Sequence, residues 1–215
     1  MISEPSPSQE SPSREELLEA IVDLHAQVDN EVARRSRAYA TRLHCAAGCC
    51  DCCVDDLTVF EVEALRIEAH CADLLYQGEP HVPGACAFLS EKGQCRIYDH
   101  RPYVCRTQGL PLRWMGIGDK PDDQPDDQPD DQPVGAESAP PKGAGLNAGL
   151  DAGLDGPLTE YRDVCPLNED AVDLAELPEE ECWEIGPVER ELRALQLEMT
   201  GSLQRVPLRD LFVST

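Results

Sequence analysis

Five cysteines fall within nine residues, Cys45-Ala46-Ala47-Gly48-Cys49-Cys50-Asp51-Cys52-Cys53. No regular element can bury such a run on one side. A helix would spread the thiols round its axis and a strand would alternate them between faces. Thiols crowded into a loop are most simply explained by a shared metal ion or iron–sulfur cluster, both of which soft thiolate ligands suit. Gly48 supplies the backbone freedom that a tight wrap needs. Cys86, Cys95 and Cys105 follow in a turn-rich stretch, and Cys165 comes much later.

The surrounding sequence narrows the setting. The cysteine count is odd, at 11. The opening Met1-Ile2-Ser3-Glu4-Pro5-Ser6-Pro7-Ser8 has neither the basic nor the apolar part of an export signal. The thiols are therefore expected to be reduced or metal-bound in a cytoplasmic protein, not paired as a secreted disulfide scaffold. No apolar run approaches the length of a membrane span. A net charge of −24 opposes phosphate backbones and anionic lipid, so neither a nucleic-acid nor a membrane partner is expected, and a protein partner is left open.

Residues 1–13 are rich in Ser, Pro, Glu and Gln and read as a disordered tail. Ser13-Arg14-Glu15-Glu16 predicts a capping box, and Leu17, Ile21, Leu24, Val28 and Val32 form one apolar stripe, on a helix running to about Leu43. Thr58-Val59-Phe60-Glu61 predicts a second capping box, on a helix to about Tyr76 with Val62, Leu65 and Leu74 as core candidates. The positive end of that helix would then lie close to the thiol run. Cys86–Leu89 and Cys95–Tyr98 read as two strands of a hairpin around Gly93.

Pro-Asp-Asp-Gln occurs three times between Pro121 and Gln132, inside a 119–156 segment of low complexity that contributes ten acidic residues against two lysines. Its composition marks it as a solvated insertion. Pro187 opens a final helix with Val188, Leu192, Leu195 and Met199 on its apolar side. The expected organisation is a tail over 1–13, helices and a cysteine-cluster metal-binding region over 14–118, the acidic insertion over 119–156, and the C-terminal part of the same domain over 157–215. The expected fold is mainly α with a short β-hairpin, in a small irregular domain stapled by metal.

Two blocks of the sequence resemble the YkgJ-type cysteine-cluster family, whose members are described as zinc or iron chelators. The first is Cys45, Cys49, Cys52 and Cys53 in a Cx₃Cx₂CC arrangement. The second is Cys86-Ala87-Phe88-Leu89, Cys95-Arg96-Ile97-Tyr98, Arg101-Pro102 and Cys105-Arg106, with Cys165 resuming the likeness after the insertion. Cys50 and the acidic insertion depart from the family pattern. The resemblance implies that Cys45, Cys49, Cys52, Cys53, Cys86, Cys95, Cys105 and Cys165 are metal ligands. Eight thiols are too many for one four-ligand site, and two zinc sites, a cluster plus zinc, or a cluster with spare thiols all remain open. Cys45, Cys49 and Cys52 also have radical-SAM spacing, but Asp51 stands where that superfamily usually has an aromatic. The chain is also too short and too poor in alternating strands and helices for the expected barrel.

Cys71 and Cys182 read as small core residues, Cys50 as a thiol of open role, and His44 as a helix-end residue. Arg101 and Arg106 could donate to cluster sulfurs or form ion pairs in an acidic protein. Tyr98 and Trp114 read as core or lid. No nucleophile motif, phosphate loop or acid–base pair is present, so no catalytic residue is assigned. The function implied is a cysteine-cluster protein holding an iron–sulfur cluster, zinc or both. The likeness permits a redox or modification enzyme, and flagellin lysine-N-methylases resemble the family in their cysteine cluster. The alternative is a non-catalytic zinc module for protein interactions.

Overall fold

A computed structural model describes residues 12–45, 48–117, 158–171 and 173–212. Most of the expected tail and all of the 119–156 insertion lie outside these residues. Four α-helices and several 3₁₀ turns make up about half of what is described, and the strands are short.

Helix α1 spans Arg14–Ala38. The Ser13 hydroxyl accepts from the Glu16 amide, and the Glu16 carboxylate accepts from the Ser13 amide at 2.7 Å, so the capping box is complete. Such a cap is worth about 1 kcal/mol. Leu17, Ile21, Leu24 and Val28 are buried and Val32 packs at the edge of the same core. The helix stops at Ala38, short of the expected Leu43. The Arg42 and Leu43 amides fold back onto the Tyr39 carbonyl, which lets Arg42 pair with Glu181 and Leu43 reach the core.

The second capping box does not form. Thr58–Phe60 is strand β1, and helix α2 begins only at Glu61 and runs to Gln77. The Thr58 hydroxyl accepts from Arg205 instead of capping the helix, and the Val62 amide is satisfied by the Gln196 side chain. The core face of α2 is Val62, Ala64, Ile67 and Leu75, while Leu65 and Leu74 are half-buried.

The expected hairpin is reduced to one bridge, Leu89 to Cys95, with two further backbone bonds around the Gly93 turn. Helix α3 follows as a single turn, Tyr103–Arg106. The real sheet lies elsewhere. Strand β2 (Leu112–Ile117) pairs antiparallel with β3 (Leu158–Asp163) and parallel with β4 (Trp183–Glu184). Ile117 pairs with Leu158, so the chain leaves and returns at adjacent positions on either side of 118–157.

Helix α4 (Gly186–Thr200) carries Pro187 in its first turn, buries Leu192, and ends at Gly201 with φ +69°. Strand β5 (Arg205–Pro207) then pairs with β1.

Two apolar clusters result. The first joins Ile21, Leu24, Val28, Phe60, Tyr103, Leu112, Trp183 and Leu192. The second joins Val59, Ile67, Phe88, Ile97, Leu208, Leu211 and Phe212, with Cys86 inside it and Cys53, Cys71 and Cys95 against it. No helix among the described residues is long and apolar enough to cross a membrane.

Candidate metal centre

The thiol loop is shaped by Gly48, at φ +92°, and by a turn in which the Cys53 amide donates to the Cys50 carbonyl. The Cys86 amide donates to the Cys53 carbonyl at 2.9 Å, docking the second cysteine block on the first. Cys50 faces the Gly93 turn: a Cβ on Gly93 would stand 3.9 Å from the Cys50 sulfur.

The eight candidate thiols fall into two neighbouring groups. Cys165 lies among Cys45, Cys49 and Cys52. Cys53 neighbours Cys86 and Cys105, and Cys105 in turn neighbours Cys86, Cys95 and Cys52. Cys52 adjoins both groups. All eleven cysteines are free. Among the described residues, no three His, Cys, Asp or Glu side chains stand in coordinating geometry. The thiols are gathered without being arranged as a finished cage.

Burial and mutual crowding make most of these thiols resist ionisation. Burial pushes Cys86, Cys95 and Cys165 upward, and Cys105 well upward, with neighbouring thiols adding to the effect in each case. Burial pushes Cys45 up to about 11 against a hydrogen bond from Asn168. A hydrogen bond from Cys53 draws Cys52 down to about 7 and holds Cys53 well up. Crowded thiols that resist joint ionisation lose that resistance when a cation shares them. The donor set is soft sulfur without a carboxylate cage, which suits zinc or iron–sulfur units and not magnesium or calcium.

Cys105 is positioned by a buried polar network the sequence did not announce. Glu63 accepts from the Tyr103 amide at 2.6 Å, at the start of α3, and from His25 at 3.0 Å. Arg66 donates to the other ring nitrogen of His25. The ring is therefore the neutral Nε2–H tautomer, as the network assigns it. Arg101 and Arg106 both pair with Asp29, so they act as ion-pair residues that anchor the Cys105 segment to α1.

Burial is the main cause lowering the pKa of His25; Glu63 opposes it, and Arg106 and Arg66 add to it. An unfolded chain takes up a proton near pH 6.5 that the folded state refuses, so stability should be full above that pH and fall below it. We expect the urea midpoint to drop between pH 7.5 and 5.5, and less so in His25→Gln. Equal slopes would show that His25 does not carry this dependence.

Cys182 is buried among Arg162, Arg113 and acidic side chains. Cys71 packs on the second cluster, beside Cys95 and at a kink in α2. His44 is exposed. Tyr98 is exposed beneath Arg101, and Trp114 stacks on Tyr161 at the edge of the core.

Gly109 was also missed. Its φ is +94°, and a Cβ there would stand 2.7 Å from the Cys45 sulfur. Gly109→Ala must displace that sulfur or the backbone. We expect it to lower metal content and the thermal midpoint, by an amount comparable to about 1–3 kcal/mol of backbone strain plus overpacking. Unchanged metal content would show that Cys45 has room to move.

The thiol-rich loops, docked in part on the second apolar cluster, make this a small cysteine-cluster domain. Residues 44–122 match the model of the CxxCxxCC family, described as "Putative zinc- or iron-chelating domain". Seven of the eight candidate ligands lie within the match and Cys165 lies beyond it. No curated protein and no solved structure matches the chain.

Proposed function

We propose that the chain is a metal protein whose ligands are the two groups Cys45, Cys49, Cys52, Cys165 and Cys53, Cys86, Cys95, Cys105, and that it holds an iron–sulfur cluster in a redox or modification role. The observation that carries this reading is the convergence of eight free thiols from four separate chain segments, Cys165 included. Four thiolates suit one cluster or one zinc ion. When bound, a cluster would supply one-electron chemistry; the chain's own part is to gather the sulfurs and hold Cys105 through Glu63.

A specific observation favours a second reading, a structural zinc module for protein interactions. Cys53, Cys86 and Cys95 belong to the second apolar cluster, where a metal would act as a staple in a small core.

Purification without oxygen, followed by iron, sulfide and zinc analysis and visible absorption, separates the two. Iron with matching sulfide and a brown chromophore supports the first reading. Stoichiometric zinc in a colourless protein overturns it in favour of the second. A folded protein free of metal overturns both.

A further inference from the structure

Asn168 is a polar side chain left only 6% exposed, and its hydrogen bonds reach three chain segments. Its Oδ1 accepts from the His44 amide at 2.7 Å, next to Cys45. Its Nδ2 donates to the Gly109 carbonyl at 2.7 Å, in the loop that follows Cys105. The same Nδ2 stands 3.6 Å from the Cys45 sulfur. Its backbone amide donates to the Cys165 carbonyl at 2.7 Å, closing the turn that begins at Pro166.

These partners leave no doubt about which way the amide faces. Exchanging its oxygen and nitrogen would set oxygen against the Gly109 carbonyl and nitrogen against the His44 N–H, two unfavourable contacts in place of two hydrogen bonds. One N–H is spent on Gly109, and the second is free for sulfur.

We infer that Asn168 is a positioning residue of the metal centre, which locks the Cys45 and Cys165 segments in register and donates an N–H to the Cys45 thiolate. The inference rests on the metal reading of the eight thiols. Its physical content is specific. A donor aimed at an anionic sulfur makes a charge-assisted bond, stronger than the same bond to a neutral thiol. Partners of this kind orient metal ligands and tune the charge on them, and their loss typically weakens metal affinity by roughly 10–100-fold. Gly109 completes the arrangement, because only a residue without a side chain lets the carbonyl and the Cys45 sulfur approach the same amide.

The test uses the full chain, purified without oxygen, with metal retention followed against a chelator. Asn168→Asp is nearly isosteric and keeps an oxygen for the His44 amide. It removes the donor and places negative charge against the Cys45 sulfur and the Gly109 carbonyl. We expect unchanged helical circular dichroism and metal loss roughly 10–100-fold faster than in the wild type.

The same substitution in a Cys45→Ser background should add a clearly smaller loss, because the sulfur it serves is gone and only the register of the segments remains. Retention equal to wild type would overturn the inference, as would an equal added loss in both backgrounds. Failure of Asn168→Asp to fold in both backgrounds would also overturn it, leaving Asn168 a structural knot only. A wild-type protein without metal would instead remove the metal reading itself, a result distinct from these.

Discussion

Cys105→Ser is expected to lose metal and much of its folded stability together, whereas Cys182→Ser keeps its metal. The Cys105 sulfur is deeply buried, lies among Cys86, Cys95, Cys52 and Cys53, and comes from a one-turn helix held by Glu63. Serine oxygen is a harder and poorer ligand for zinc or iron–sulfur units. Structural metal binding contributes on the order of 10 kcal/mol or more. A typical domain has only about 5–15 kcal/mol of net stability, so weakening one ligand is enough to unfold much of the population. Cys182 is buried too but sits among Arg162, Arg113, Glu160 and Glu181. Metal content per chain and the thermal midpoint, measured on both variants, check the contrast. Equal metal loss in the two would show that the division between ligands and core cysteines is wrong.

Glu63→Ala is the second large expected effect. Glu63 is 3% exposed, and one carboxylate oxygen serves both the Tyr103 amide and His25. Alanine leaves an amide and an imidazole N–H without acceptors and removes a countercharge near Arg66. Breaking a buried, paired network in this way costs about 3–5 kcal/mol. The urea midpoint should fall accordingly, and metal content with it, because α3 presents Cys105. Glu63→Gln keeps an acceptor for Tyr103 and should lose less. An Ala variant as stable as the wild type would show that the network is not what anchors the Cys105 segment.

The parts that were legible in advance are those specified over short distances. The Ser13 box and the Leu17–Val28 stripe needed only hydrogen bonds and periodicity within one helix. Pro187 and Leu192 marked α4 in the same way. Thr58 shows where that logic fails. Its local pattern fits a cap, but Arg205 claims the hydroxyl and β5 claims the backbone, and nothing nearby in sequence announces a partner 147 residues on. The β2–β3 pair was missed because 40 residues separate Ile117 from Leu158 and neither strand carries a turn signal to its mate.

The site divides along the same line. Thiol spacing by itself determined that this chain crowds five thiols into one loop, because the cysteines of one loop are close whatever the fold. Only the tertiary structure decided that Cys165 joins Cys45, Cys49 and Cys52, that Glu63 holds the turn of Cys105, and that Asn168 and Gly109 meet at the Cys45 sulfur. Those are contacts between distant segments, set by how α1, α2 and the C-terminal elements pack, and composition and local periodicity carry no record of them.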